Sequence, residues 1–108
     1  MEFIETPTFT KKITSLISDE SYKDFQRQLL LNPEKGDLIK DGGGIRKIRW
    51  NLENKGKSGS IRIIYFYKIQ KEIIYMLYAY TKSNKANLSD SETKILRTLA
   101  KELNNEWF

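Results

Sequence analysis

Two runs, Ile61 to Tyr67 and Ile73 to Tyr80, constrain the fold more than any other part of this chain. Both are apolar on alternate and intervening positions alike, and Arg62 is the one charge inside them. A strand that is apolar on both faces must be covered on both faces. Only the charged stretch Lys68 to Glu72 separates the runs, too short for a helical crossover, so the two strands pair antiparallel. The run Ile45 to Trp50 differs. It alternates, placing Ile48 and Trp50 on one face and Lys47 and Arg49 on the other. The polar, glycine-containing stretch Asn54 to Ser60 joins it to the next run as a loop.

Cover for the sheet comes from helical patterns at both ends of the chain. Phe3-Ile4 reads as a short opening strand. Thr6-Pro7 suits a helix start, because proline fits the first helical position. Phe9, Ile13, Leu16 and Ile17 then recur at helical spacing. Ser18-Asp19-Glu20 reads as a fresh N-cap with acids in the first turn. Tyr22, Phe25, Leu29 and Leu30 follow before Pro33 and Gly36 end the helix. Residues 7–32 thus form a helical hairpin, and Gly42-Gly43-Gly44 breaks the pattern before the strands. Ser89 and Glu92 form a capping box ahead of Ile95, Leu96, Leu99 and Leu103. The order is short strand, two helices, an antiparallel meander and a helix. That is an α+β fold in one domain spanning residues 1–108, as 108 residues would suggest.

Composition removes whole classes of chemistry. The chain has no Cys and no His, which excludes thiolate nucleophiles, Ser-His dyads and imidazole or thiolate metal ligands. Any proton chemistry must run on Lys, Arg, Tyr or carboxylates. No apolar stretch is long enough to span a bilayer. Met1-Glu2-Phe3-Ile4-Glu5 does not read as a signal peptide. The expectation is a cytoplasmic protein without membrane contact.

The net charge of +5 is unevenly placed. Residues 1–45 carry six Lys and Arg against eight acids, and residues 86–108 carry three against four. Residues 46–85 carry ten against two, so the whole excess lies in the middle. Such asymmetry points to a polyanion partner, nucleic acid foremost. Arg62 must reach solvent, an acid such as Glu53, or a bound phosphate, because an unpaired buried guanidinium is costly. Lys47 and Arg49 share a face, either as a solvated surface or as a cationic clamp on a phosphodiester. Lys55 and Lys57 lie in a basic loop that precedes a strand rather than a helix, so it is not a Walker loop. Lys82 and Lys85 follow the last apolar run. The tyrosines from Tyr65 to Tyr80 either stack on bases or pack the core.

Four segments together resemble one protein family. Leu29-Leu30-Leu31-Asn32-Pro33-Glu34-Lys35-Gly36-Asp37 resembles a Leu-x-x-Asn-Pro-x-x-Gly-Asp helix end. Gly43-Gly44-Ile45-Arg46-Lys47-Ile48-Arg49 resembles a Gly-Gly-Leu-Arg-Lys-x-Arg strand. Lys55 to Tyr65 resembles a Gly-Lys-x-Gly-Gly-x-Arg-x-Ile-Tyr segment. Tyr80-Thr81-Lys82 through Leu88-Ser89 resembles a Tyr-x-Lys…Leu-Ser tail. In this order and spacing they resemble toxins of the RelE superfamily, most closely its HigB branch.

The resemblance implies a type II toxin–antitoxin toxin with a RelE-like α+β fold around a twisted antiparallel sheet. It implies a ribosome-dependent endoribonuclease (an mRNA interferase) that cleaves mRNA in the ribosomal A site and inhibits translation, with no cofactor and no metal. The implied partners are a cognate antitoxin, often of helix-turn-helix type, the ribosome and mRNA, with operator DNA reached only through the antitoxin complex. By position, Arg62 matches the arginine implied to stabilise the transition state, Lys47 and Arg49 the paired strand cations, and Lys82 the basic residue after the last strand. Arg46, Lys55, Lys57 and Lys85 are the expected RNA contacts. Crowded cations favour a neutral lysine, so one among Lys47, Lys55, Lys57 and Lys82 is a candidate proton acceptor. Ser83 stands where some relatives have Arg, and no tyrosine follows the last strand as in the best-known members. A non-catalytic nucleic-acid-binding module using the same basic face is the alternative.

Overall fold

The computed structural model describes residues 1–51 and 60–105. The chain begins with strand β1, Glu2–Glu5, and turns at Thr6 into helix α1, Pro7–Leu16. Thr6 caps that helix by accepting the Phe9 N–H at 3.0 Å. Helix α2, Asp19–Leu31, starts at Ser18, whose hydroxyl accepts the Ser21 N–H at 3.1 Å. Asp19 and Glu20 sit in its first turn, where the helix dipole favours them. These two helices are the expected hairpin.

Strand β2, Asp37–Leu38, then leads to β3, Ile45–Asn51. Between them Gly43 and Gly44 adopt φ of +69° and +106°, a conformation costly to a residue with a Cβ. Strand β4, Ser60–Lys68, passes through a single 3₁₀ turn at Ile69–Lys71 into β5, Ile73–Thr81. Helix α3, Asp90–Asn104, closes the described chain behind the complete Ser89–Glu92 capping box.

The five strands form one sheet in the order β1-β5-β4-β3-β2. The β3-β4-β5 meander is antiparallel, as its short connections require. The sheet as a whole is mixed rather than antiparallel, because β1 pairs parallel to β5. The whole helical hairpin follows β1, and a connection of that length lets a strand lie parallel to its neighbour.

Both faces of the two central strands are covered. Phe9, Ile13, Phe25 and Leu29 of α1 and α2 pack on Ile61, Ile63, Tyr65, Ile74 and Met76. Leu96 and Ala100 of α3 pack on Ile45, Ile64, Phe66, Tyr75 and Leu77. Ile48 and Trp50 pack against the first layer, as their alternation predicts. Ile95, expected among the apolar positions of the last helix, is 67% exposed instead. Its neighbours Leu96, Leu99 and Leu103 already fill the stripe that meets the sheet. Among the described residues no helix is long and apolar enough to cross a membrane.

Helix α3 covers only part of its face. Near its start Glu92 meets Tyr78, and near its end the Leu103 carbonyl accepts from Lys68 Nζ at 2.6 Å. Tyr78 lies opposite Ile64, and Lys68 lies opposite Ile73. The cover therefore runs from the Ile64 level to the Lys68 level. The other end of the same face, where β4 begins and β5 finishes, lies beyond the helix.

Candidate functional site

Three cations gather at the limit of that helix and just beyond it. The register pairs Arg49 directly with Arg62, and Lys47 with Ile64. Alternation puts Lys47, Arg49 and Arg62 on the α3 face with Ile45 and Ile64. They line one cavity of about 180 Å³ together with Asp37, Ala86 and Asn87. The short β2 supplies Asp37, which pairs with Lys47 across the sheet, and the loop after β5 supplies Ala86 and Asn87.

Arg62 is 93% buried by its surroundings, being 7% exposed. Its Nη1 donates to Ser60 Oγ at 2.8 Å. Among the described residues no carboxylate lies within ion-pair distance of Arg62, Arg49 or Lys47. Glu53, the acid considered as a partner for Arg62, lies outside the described residues. Like charges directly opposite one another on a sheet repel, so an anion between Arg49 and Arg62 would relieve the pair. Two guanidinium forks and an ammonium on one face suit a phosphodiester.

Tyr80 is the residue that the sequence pattern did not single out. It is the cross-strand partner of Arg62 on the β5 side, and it is 2% exposed. Its hydroxyl is buried without a hydrogen-bond partner among the described residues. Burial pushes its pKa up, and the nearby Arg62 charge pulls the other way. Only the register across two strands brings it beside Arg62, and sequence periodicity does not give that register. The same register brings Asp37 beside Lys47, and the path of the loop after β5 brings Asn87 to the cavity; neither is given by periodicity.

The other expected residues go to different places. Lys82 is exposed in the turn after β5, and its main-chain N–H donates to Ser60 O at 3.4 Å. That bond ties its backbone to the start of β4, the end of the sheet that carries Arg62. Lys85 turns toward α3. Its ammonium donates to Glu92 Oε2 at 2.5 Å and to the Tyr78 hydroxyl at 3.3 Å. It also lies 5.5 Å and 5.7 Å from the ring centroids of Tyr78 and Tyr80. The Lys85 ammonium, followed by the Ser89 N–H, holds the Glu92 carboxyl down to about 2. Glu92 in turn raises Lys85 above the usual lysine value.

Arg46 has the parity of Ile48 and Trp50, so it faces away from the cationic cavity. Its Nη1 donates to the Gly36 and Glu34 carbonyls at 2.7 Å and 3.0 Å. It thereby fastens the segment that follows α2, where Tyr65 also accepts the Gly36 N–H at 2.9 Å and donates to the Pro33 carbonyl at 2.7 Å. Lys55 and Lys57 lie outside the described residues. Among the described residues no group of three or more acids is placed to hold a metal ion.

The α+β fold that carries the cationic face agrees with the comparison to known families. The model of the RelE toxin of the RelE/RelB toxin–antitoxin system matches residues 4–106. Toxins of that family pair with antitoxins and are generally ribonucleases that inhibit translation. The match runs from within β1 through the end of α3, and the chain belongs to the RelE toxin family.

Proposed function

We propose that this chain, as a single toxin domain of the HigB branch, is a ribosome-dependent endoribonuclease that cleaves mRNA in the ribosomal A site. The observation that carries this reading is the convergence of Lys47, Arg49 and Arg62 on one cavity without an ion-paired acid among the described residues. In the proposed reaction the 2′-oxygen of a nucleotide attacks its own 3′-phosphorus. The bond from phosphorus to the 5′-oxygen breaks, leaving a 2′,3′-cyclic phosphate and a 5′-hydroxyl. One proton leaves the 2′-hydroxyl for an acceptor, and one is delivered to the departing 5′-oxygen. Arg62 and Arg49 stabilise the charge that builds on the phosphate oxygens. Lys47 and Lys82 serve the same centre, while Lys55 and Lys57 guide the strand. In this reading the protein's own cations carry the charge, and the toxin brings no metal to the reaction.

A site without imidazole is a weak catalyst on free RNA, and the ribosome supplies the substrate orientation it lacks. A helix-turn-helix antitoxin holds the toxin inactive in the cytoplasm, and operator DNA is bound only by the pair. Primer extension on a defined mRNA, with and without programmed ribosomes, tests the reading. Cuts within A-site codons are expected from the wild type, and a loss of about 10²-fold or more from a folded Arg62→Ala protein. Salt-sensitive RNA binding without cleavage on any ribosome would establish the non-catalytic module instead.

A further inference from the structure

A second cavity, of about 310 Å³, opens between the end of β3 and α2. Arg49 lines both it and the cationic cavity; the two lie on opposite faces of β3 and meet around the strand edge at that residue. The walls of the second are of another kind. Phe25 and Trp50 supply aromatic surface, their rings meeting edge-on at 5.4 Å. The indole N–H of Trp50 donates to Ser21 Oγ at 3.0 Å, which fixes the ring. Gln28 also lines the cavity, and its carboxamide oxygen accepts from Lys35 Nζ at 3.2 Å. That bond orients the amide and leaves its NH₂ group as the donor.

The strand edge adds main-chain groups. Strand β2 pairs only with Lys47 and Arg46, so β3 runs on past it. On the β2 side the Ile45 carbonyl accepts the Ile39 N–H. Orientation repeats at every second residue, so the N–H and C=O of Arg49 face the same side. No described strand pairs with them there.

A fixed aromatic ring, an oriented amide donor and a strand edge that no described strand covers offer what a nucleobase requires. It needs a surface to stack on and in-plane partners for its edge. We infer that this cavity is a nucleobase subsite. A single-stranded ribonucleotide whose phosphate lies against Lys47, Arg49 and Arg62 places an adjoining base beside Trp50, with its edge toward Gln28 and the Arg49 backbone. This inference rests on the RNA reading above and adds to it the place where the substrate's base is held.

Trp107→Phe leaves Trp50 as the sole tryptophan. This variant is titrated at low salt with a 2′-O-methyl RNA hexamer, which resists cleavage, and with an abasic hexamer of equal length. Anisotropy of dye-labelled oligomers reads binding, and Trp50 emission reads stacking on unlabelled ones. The RNA is expected to quench Trp50 and to bind about 10- to 100-fold more tightly than the abasic strand. In the otherwise unaltered chain, Gln28→Ala is expected to weaken RNA binding about fivefold while leaving abasic binding unchanged. Equal binding of both strands with no quenching overturns the subsite and leaves the phosphate site standing. Quenching by inorganic tripolyphosphate alone also overturns it, because phosphate then suffices to perturb the indole. Absence of binding by either strand overturns the RNA reading itself.

Discussion

Replacing Arg62 with methionine should make the protein more stable and nearly inactive. Arg62 is 7% exposed, its guanidinium holds one hydrogen bond to Ser60 within the described residues, and it stands opposite Arg49. An ion so placed costs several kcal/mol in lost hydration. The facing like charge adds roughly 0.2–1 kcal/mol. Methionine keeps most of the length and needs no partner. Apolar replacement of buried ionic groups is neutral or stabilising by about 1–4 kcal/mol, so a gain of about 1–3 kcal/mol is expected. For a domain of this size that raises Tm by about 4 °C per kcal/mol. Urea and thermal unfolding in a phosphate-free buffer measure the stability, and primer extension on programmed ribosomes measures cleavage, expected to fall by about 10²-fold or more. Adding inorganic phosphate should stabilise the wild type more than the variant, because only the former retains the full anion site. A variant that unfolds at lower urea than the wild type would refute the reasoning. Arg62 would then be a structural residue whose partners outweigh its desolvation.

Three further outcomes follow from local geometry. Glu92 titrates near 4.3 in an unfolded chain and at about 2 when folded, so its contribution is complete above pH 4.3 and is lost as pH falls toward 2. Urea midpoints of the wild type should fall across that window and those of Glu92→Gln should fall less; parallel profiles would contradict the Lys85 pairing. At Gly44 a Cβ would meet Phe66 Cε1 at 3.0 Å on a backbone with φ of +106°, so Gly44→Ala should cost about 1–3 kcal/mol of urea stability, and a neutral result would mean that the turn relaxes freely. Arg46→Ala removes two hydrogen bonds to main-chain carbonyls and should cost about 1–3 kcal/mol, with an unchanged urea midpoint showing that the segment after α2 holds without it.

Hydrophobic pattern made the central strands, the helical hairpin and the capped last helix legible, because each has a period that one residue's neighbours reveal. It also showed that Lys47 and Arg49 share a face. It could not show that Arg62 stands directly opposite Arg49, because register is a relation between strands and is set by the packing of both layers. The same limit hid Tyr80 beside Arg62 and Asp37 beside Lys47. Two residues of β2 are too few to carry a period. The parallel pairing of β1 depends on where the helical hairpin returns the chain, which no local pattern near Phe3 records. Lys85 read as a member of the basic face, yet Glu92 follows it at a distance that the intervening loop and the first turn of α3 close to 2.5 Å.

The position of the cationic site follows from where the sheet loses its cover. β4 is apolar on both faces because helices pack on both, and a charge in its middle would have displaced one of them. Arg62 lies near its start, at a level that α3 does not reach, since that helix spans from Glu92 beside Tyr78 to Leu103 beside Lys68. A loop crosses there instead, and it leaves a cavity lined by Ala86 and Asn87 rather than a packed layer. The same offset explains why Lys47 and Arg49 are tolerated on a face where Ile45 is wholly buried. Ile45 lies under the helix, Lys47 lies level with Ile64 where that cover ends, and Arg49 lies past it. Extending the cover by shortening the loop before Asp90 would therefore bury Lys47 and Arg49 beside the already buried Arg62, and such a variant should fold poorly unless all three are made apolar together.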